Sequence, residues 1–337
     1  MKSFTLDKYA KKSSLRAAEM PEPLVGDDDV LVEVHAAGVN VLDAKIRDGE
    51  FKLVLPYRLP LIMGNDVAGV VTRVGPRVQK FRPGDEVYAR PDKDRIGTFA
   101  EFIAMNQRDV AFKPTALTMA EGASVPLVGL TAWQALVEQA DVKPGQKVFI
   151  QAGTGGVGTI AIQLAKHLGA TVATTCSSTS FDMVKSLGAD VVIDYKTQDF
   201  ETILHDYDVV LHSQDAPALQ KSLRVLKPGG TLISISGPPD HVFGGEIGAA
   251  WYVRLALRLL SFGTRRKARR LGVRFFFLFM RANGEQLQDI TALIDSGVIR
   301  PVMDKVFPFA ETNAAMAYVE SGRAKGKVVV TVKPNLG

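Results

Sequence analysis

Residues 147–169, KVFIQAGTGGVGTIAIQLAKHLG, run from a short apolar segment through a cluster of glycines into a helical repeat. The opening KVFIQA follows the turn Lys143-Pro-Gly145 and reads as a buried parallel strand. Residues 159–168 space Ile160, Leu164 and Leu168 four apart, and Gly169 ends them as a helix cap. Between strand and helix stands Gly153-Thr154-Gly155-Gly156-Val157-Gly158, a G-x-G-x-x-G turn. That order suits a dinucleotide. The glycines let the backbone approach a pyrophosphate, and the first turn of the helix aims N–H groups and its positive dipole end at the anion. The same reading accounts for the uncharged stretch 148–165, which has the length of a membrane span but is broken by glycines and glutamines.

Further apolar segments follow at regular spacing: residues 170–175, a helix over 180–187, then 190–193, 208–211 and 230–235, the last behind the turn Lys227-Pro-Gly-Gly230. Strands alternating with helices predict a doubly wound parallel sheet, an α/β fold. At the end of its second strand, where an NAD enzyme places an acid for the ribose 2′-hydroxyl, the chain has Cys176-Ser177-Ser178. Hydroxyls can donate to a 2′-phosphate that a carboxylate would repel, so NADPH is expected over NADH.

Upstream the texture changes. Residues 30–34, 66–71, 84–88 and 99–103 alternate in short runs broken by Gly and Pro, the pattern of a small barrel-like β domain, and 327–332 repeats it late in the chain. Three segments are expected: 1–123 as a β domain, 124–282 as the nucleotide domain with a basic helical insertion at 246–271, and 283–337 as a return to the β domain. A chain of 337 residues, 46% apolar, is long enough for two cores. Its net charge of +5 is local: nine basic and no acidic residues lie between Arg254 and Arg281, and removing those nine from 41 leaves 32 against 36 acids, a net of −4. A single Cys176 excludes an internal disulfide framework and a multi-cysteine zinc site, and the N-terminus lacks the apolar core of a signal peptide. A reducing, cytoplasmic setting is expected.

Six segments in order, AAGVNVLD (36–43), GNDVAGVV (64–71), RPGDEVY (82–88), GTFAE (97–101), TAWQAL (131–136) and AGTGGVG (152–158), resemble the medium-chain dehydrogenase/reductase superfamily over nearly the whole chain. The nearest branch is the zinc-free quinone oxidoreductase and alkenal (enone) reductase group. The resemblance implies a GroES-like β-barrel domain beside the Rossmann domain. Zinc-dependent members carry Cys at the position of Asn40 and Gly-His-Glu at Gly64-Asn65-Asp66, so no metal is expected here. Without a Lewis acid the expected reaction is hydride transfer from NADPH to a quinone or an α,β-unsaturated carbonyl, which spreads the incoming charge onto its own oxygen. The alternatives are a non-catalytic NADPH-binding protein or a module anchored at a membrane by its basic helix.

For catalysis the resemblance and the residue types nominate Asn40, whose amide could orient the nicotinamide or the substrate oxygen, Tyr57 as a phenol donor, and Lys93 as a cation for an enolate. Asp66 is expected to be structural. The implied cofactor contacts are Asn40 and Thr131 at the nicotinamide end, Gly153, Thr154, Gly155, Gly156, Val157 and Gly158 at the pyrophosphate, Ser177, Ser178 and Tyr195 at the 2′-phosphate, with Ser236, Phe279 and Lys327 completing the set. Relatives often carry Lys where Ser180 stands, and Arg323 or Lys327 is the expected replacement for that charge. His212, at a strand end, reads as a buried histidine before it reads as an acid.

The remaining feature is FGTRRKARRLGVRFFFLFMR, residues 262–281. Residues 248–270 read as a helix with Trp251, Leu255, Leu259 and Phe262 on one stripe beside Arg254, Arg258 and Arg265. The Phe run after Gly272 reads as a sheet strand, of the kind that pairs across a homodimer in the resembled family. The helix is read either as a lid walled by Trp251 and Tyr252 or as a peripheral contact with anionic membranes. Nucleic acid is not an expected partner, because no nucleic-acid fold motif accompanies the charge.

Overall fold

The chain opens with β1 (Lys2–Leu6), paired antiparallel with β2 (Arg16–Glu19), and continues into β3 (Asp29–Val39), an eleven-residue strand buried along most of its length. A short helix, α1 (Val41–Arg47), follows, then β4 (Leu61–Ile62), β5 (Val67–Val74), β6 (Glu86–Ala89), β7 (Phe102–Asn106) and β8 (Val110–Phe112). The computed structural model describes residues 1–237, 239 and 241–333. One face of β3 sets Val30, Val32 and Val34 into a core with Met63, Val67, Val71, Val87 and Phe99, so the period-2 alternation became the inside of a small β domain. Two helices close this part: α2 (Met119–Ala123), started by a capping box between Thr118 and Glu121, and α3 (Pro126–Trp133).

The second part alternates strand and helix, with two helices in the last crossover: β9 (Lys147–Ile150), α4 (Gly156–His167), β10 (Thr171–Cys176), α5 (Phe181–Ser186), β11 (Val191–Asp194), α6 (Phe200–Ile203), β12 (Tyr207–His212), α7 (Ala216–Ser222), β13 (Leu226–Ser234), α8 (His241–Glu246), α9 (Trp251–Arg270) and β14 (Arg274–Phe277). All pairings in this sheet are parallel, in the order β11-β10-β9-β12-β13-β14. Val148, Phe149 and Ile150 of the central β9 are fully buried, as a strand covered on both faces requires. The strand order reverses beside β9, where a doubly wound sheet receives its ligand.

The Phe run is the edge strand of this sheet, with Phe275, Phe276 and Phe277 in register with Leu232, Ile233 and Ser234 of β13. The preceding helix departs from the usual amphipathic rule. It buries Leu257, Ser261 and Ala268, while the stripe Trp251, Leu255, Leu259 and Phe262 points to solvent.

After β14 the chain forms α10 (Gly284–Asp295), β15 (Met303–Pro308), α11 (Thr312–Glu320) and β16 (Lys327–Thr331). β16 lies antiparallel to β3, with Val328 opposite Val39, and so completes the sheet β15-β16-β3-β5-β6-β8. The chain divides into one unit of Met1–Leu130 with Arg281–Gly337 and a second of Thr131–Met280. The first division falls after 130 rather than 123 for a local reason: the N–H of Leu127 in α3 donates to Asp66 at 2.6 Å, which ties the start of that helix to the β domain.

Candidate active site

The glycine turn is shaped by close approaches of backbone. A Cβ on Gly153 would stand 2.2 Å from Thr174 Oγ1, and one on Gly158 would stand 2.3 Å from the Ala152 carbonyl oxygen, so neither position admits a side chain. The turn is fastened to the end of β10, where the Gly153 N–H donates to the Thr175 carbonyl and the Ala152 N–H to Thr175 Oγ1. Gly155 is the N-cap of α4 and brings no side chain to the first turn. This is a cradle for an anion, and its steric needs fit a dinucleotide pyrophosphate.

Beyond the turn, Cys176 pairs in register with Asp194, which brings Ser177, Ser178 and Tyr195 together at the ends of β10 and β11. Ser177 Oγ lies 3.0 Å from Thr179 Oγ1, Ser178 is exposed, and the Tyr195 ring stands largely in solvent. Asp194 is buried and accepts from the Lys196 N–H at 3.0 Å. Thr131 is buried on α3. Ser236 follows β13 and donates to the Gln214 carbonyl at 2.6 Å; Phe279 follows β14 and packs on Phe243 with ring centres 5.0 Å apart.

The β domain holds a second cluster. Asn40 caps α1, and its backbone N–H donates to Asp43 at 2.7 Å. Its side-chain Nδ2 donates to Asp66 Oδ2 at 2.9 Å, and its Oδ1 accepts from Lys327 Nζ at 2.6 Å. The same ammonium donates to Asp66 Oδ2 at 2.9 Å, in an ion pair whose members are 6% and 0% exposed. Asn65 Nδ2 donates to the other oxygen of Asp43 at 2.7 Å. Burial pushes the Asp43 carboxyl up to about 6, against the hydrogen bonds from Asn65 and the Asn40 N–H that favour its charge.

Lys327 is therefore a correction to the sequence reading. A buried ammonium shared by Asp66 and Asn40 is not offered to a 2′-phosphate. Asn40 is likewise more engaged than expected, since its amide N–H and its carbonyl oxygen both have partners. Asp66, expected to be structural, is half of a buried ion pair.

Tyr57 and Lys93 come together through the backbone: the Tyr57 hydroxyl donates to the Lys93 carbonyl at 2.8 Å. The Lys93 ammonium, nominated as a cation for an enolate, pairs with Asp94. Burial pushes the Tyr57 phenol up, and it stays protonated. His212 is buried at the end of β12, and burial pulls it down to about 4, leaving it neutral near pH 7 and unsuited to act as an acid. Sequence reasoning missed Asn65, Asp43 and Arg90. Arg90 is wholly buried with its Nε unpartnered, while its Nη1 donates to the Pro91 carbonyl. The only signal for the Lys327 pair was a Lys opening the run Val328-Val-Val330, and it needs the β3–β16 register to be interpreted.

The donor set does not fit zinc. Among the described residues no three of His, Cys, Asp or Glu converge, and at Asp66 both oxygens are occupied, one by an ammonium.

Residues 26–115 match the alcohol dehydrogenase GroES-like domain and residues 187–330 the zinc-binding dehydrogenase family. Over 98% of its length the chain is 35% identical to the mitochondrial NAD(P)H oxidoreductase RTN4IP1 of Mus musculus, covering 89% of that protein. The chain belongs to the medium-chain dehydrogenase/reductase superfamily. It is also 34% identical over 98% of its length to the NADPH-dependent alkenal/one oxidoreductase, chloroplastic, of Arabidopsis thaliana, covering 79% of it. The quinone oxidoreductase of Coxiella burnetii superposes with a TM-score of 0.87 at 30% identity, with 99% of each chain covered. These likenesses bear out the expected branch and the expected pairing of a GroES-like with a Rossmann domain.

Two stability experiments follow. Lys327→Met leaves Asp66 buried without its cation and is expected to cost about 3–5 kcal/mol in denaturant titration, with recovery on adding Asp66→Asn; a loss under about 1 kcal/mol contradicts the pairing. For His212 the unfolded chain binds a proton below about pH 6.5 that the folded chain refuses until about 4, so stability is full above 6.5 and falls between those values. His212→Gln is expected to flatten that part of the pH–stability curve, and an unchanged slope rejects a buried neutral imidazole.

Proposed function

We propose that this chain is a zinc-independent NADPH-dependent reductase acting on a quinone or an α,β-unsaturated carbonyl. The observation that carries the reading is the Lys327–Asp66–Asn40 cluster, which puts a fixed ammonium where a metal-dependent chemistry would need a metal's ligands. NADPH supplies a hydride from C4 of its nicotinamide, and the acceptor must delocalise the electron pair onto its own oxygen before a proton from water neutralises it. The chain's part is binding and orientation. The glycine turn and the first turn of α4 would hold the pyrophosphate; Ser177, Ser178 and Tyr195 would take the 2′-phosphate; Asn40 would orient the ring carboxamide. Tyr57, kept protonated by burial, can turn its O–H from the Lys93 carbonyl to an acceptor oxygen.

The relatives' names support the cofactor and the acceptor classes, one being called NADPH-dependent and another a quinone oxidoreductase. The chain's single cysteine, the buried Cys176, agrees with a reducing cytoplasmic setting, and the edge strand β14 offers the surface for a homodimer. Following 340 nm absorbance with NADPH or NADH against a panel of enones, alkenals and quinones tests the reading. Oxidation of NADPH in preference to NADH by at least one acceptor is expected, and Gly156→Asp is expected to weaken NADPH binding at least about tenfold by facing the pyrophosphate with a carboxylate. Tight nucleotide binding without turnover of any acceptor would replace the enzyme by a nucleotide-binding protein.

A further inference from the structure

The part of the sequence that this function leaves unused is α9. Soluble helices turn their apolar stripe inward, and α9 does the reverse. Its buried side carries Leu257, Ser261 and Ala268, and Ala268 joins the core with Tyr207, Leu226 and Val273. At 100° per residue, Trp251, Leu255, Leu259 and Phe262 fall on the opposite side of the helix. Trp251 is 76% exposed, Leu259 68%, Leu260 64% and Tyr252 61%. A single exposed leucine needs no explanation, but Trp251, Tyr252, Leu255, Leu259 and Phe262, five large apolar side chains on one half of the helix within about three turns, form a patch.

Charge decides what the patch fits. The solvent side of the last turns carries Arg266, Arg269 and Arg270, all exposed, and Arg254 and Arg258 border the apolar stripe. No acidic residue occurs from Ile247 to Gly284. A second copy of the chain would lay the basic residues of α9, seven in all, against the same seven, so self-association through this face is opposed by its own charge. No described helix is long and apolar enough to cross a membrane, and α9, with its polar side and arginines, is a helix that would lie in an interface.

We propose that α9 is a membrane-docking surface: Trp251, Tyr252, Leu255, Leu259 and Phe262 enter the headgroup–acyl boundary of an anionic bilayer while the flanking arginines contact lipid phosphates. The helix is about 30 Å long and its apolar stripe occupies the first three turns, so the arginines of the last turns extend the contact over the surface. Docking of this kind is reversible and salt-sensitive, because the electrostatic part falls off within a Debye length.

The test uses the full chain in flotation against vesicles of phosphatidylcholine with roughly 30% phosphatidylglycerol, and against phosphatidylcholine alone. Binding is expected only with the anionic lipid, with partial release at high salt and a blue shift of Trp251 emission. Arg266→Gln/Arg269→Gln/Arg270→Gln is expected to lower partitioning about a hundredfold, and Leu259→Gln/Leu260→Gln at least about tenfold. An unchanged circular dichroism spectrum and an unchanged NADPH oxidation rate with a soluble acceptor would establish that both variants are folded. Failure of the wild-type chain to float, or equal flotation of the variants, overturns the proposal. So does a dimer in sedimentation velocity that Leu259→Gln/Leu260→Gln splits into monomers without any vesicle binding, or a DNA mobility shift without vesicle binding.

Discussion

One ion pair inside the β domain constrains its neighbours more than any other contact. Lys327, the first residue of the returning strand, places its ammonium on Asp66, and both also bond the side chain of Asn40. Two charges taken out of water are expensive, and their attraction offsets that cost only when the remaining donors and acceptors find partners. Here they do: Asp66 also accepts from the Leu127 N–H, which fixes the start of α3. The cluster therefore joins β3, the Asn65–Asp66 turn, α3 and the C-terminal strand. Segments nearly 290 residues apart in the chain meet at one ammonium.

Under the proposed function that arrangement also selects the chemistry. A fixed ammonium neutralises Asp66 and cannot be exchanged for a substrate oxygen, so it does not act as a Lewis acid toward an alkoxide. What remains is a preorganised polar surface beside Asn40 and a second unit whose glycine turn has the steric form that a pyrophosphate needs. An acceptor that stabilises its own incoming charge asks for no more than that.

The nucleotide unit was legible because its determinants are local. The glycine spacing, the strand lengths and the absence of an acid after the second strand are all contained within about thirty residues, and the parallel order follows from alternation of strand and helix. The Lys327 pair was not legible, since a Lys before three valines has the same appearance on a solvent-facing strand. Only the pairing of Val328 with Val39 carries it to Asp66. Lys93 and Tyr57 were nominated by type and position, but the structure engages the one with Asp94 and turns the other to a backbone carbonyl. In α9 the periodicity was correctly read as a stripe, and its direction could not be, because period alone does not say which face meets the core.

The central claim is that hydride moves from NADPH to the acceptor in a site organised by protein groups alone. It is tested most directly by incubating chelator-treated protein, with its zinc content measured, with an enone and NADPH deuterated at C4. The account predicts one deuterium at the β-carbon of the product at an undiminished rate in protein holding far less than one zinc per chain. Transfer that stops on chelation and returns with added zinc would contradict it.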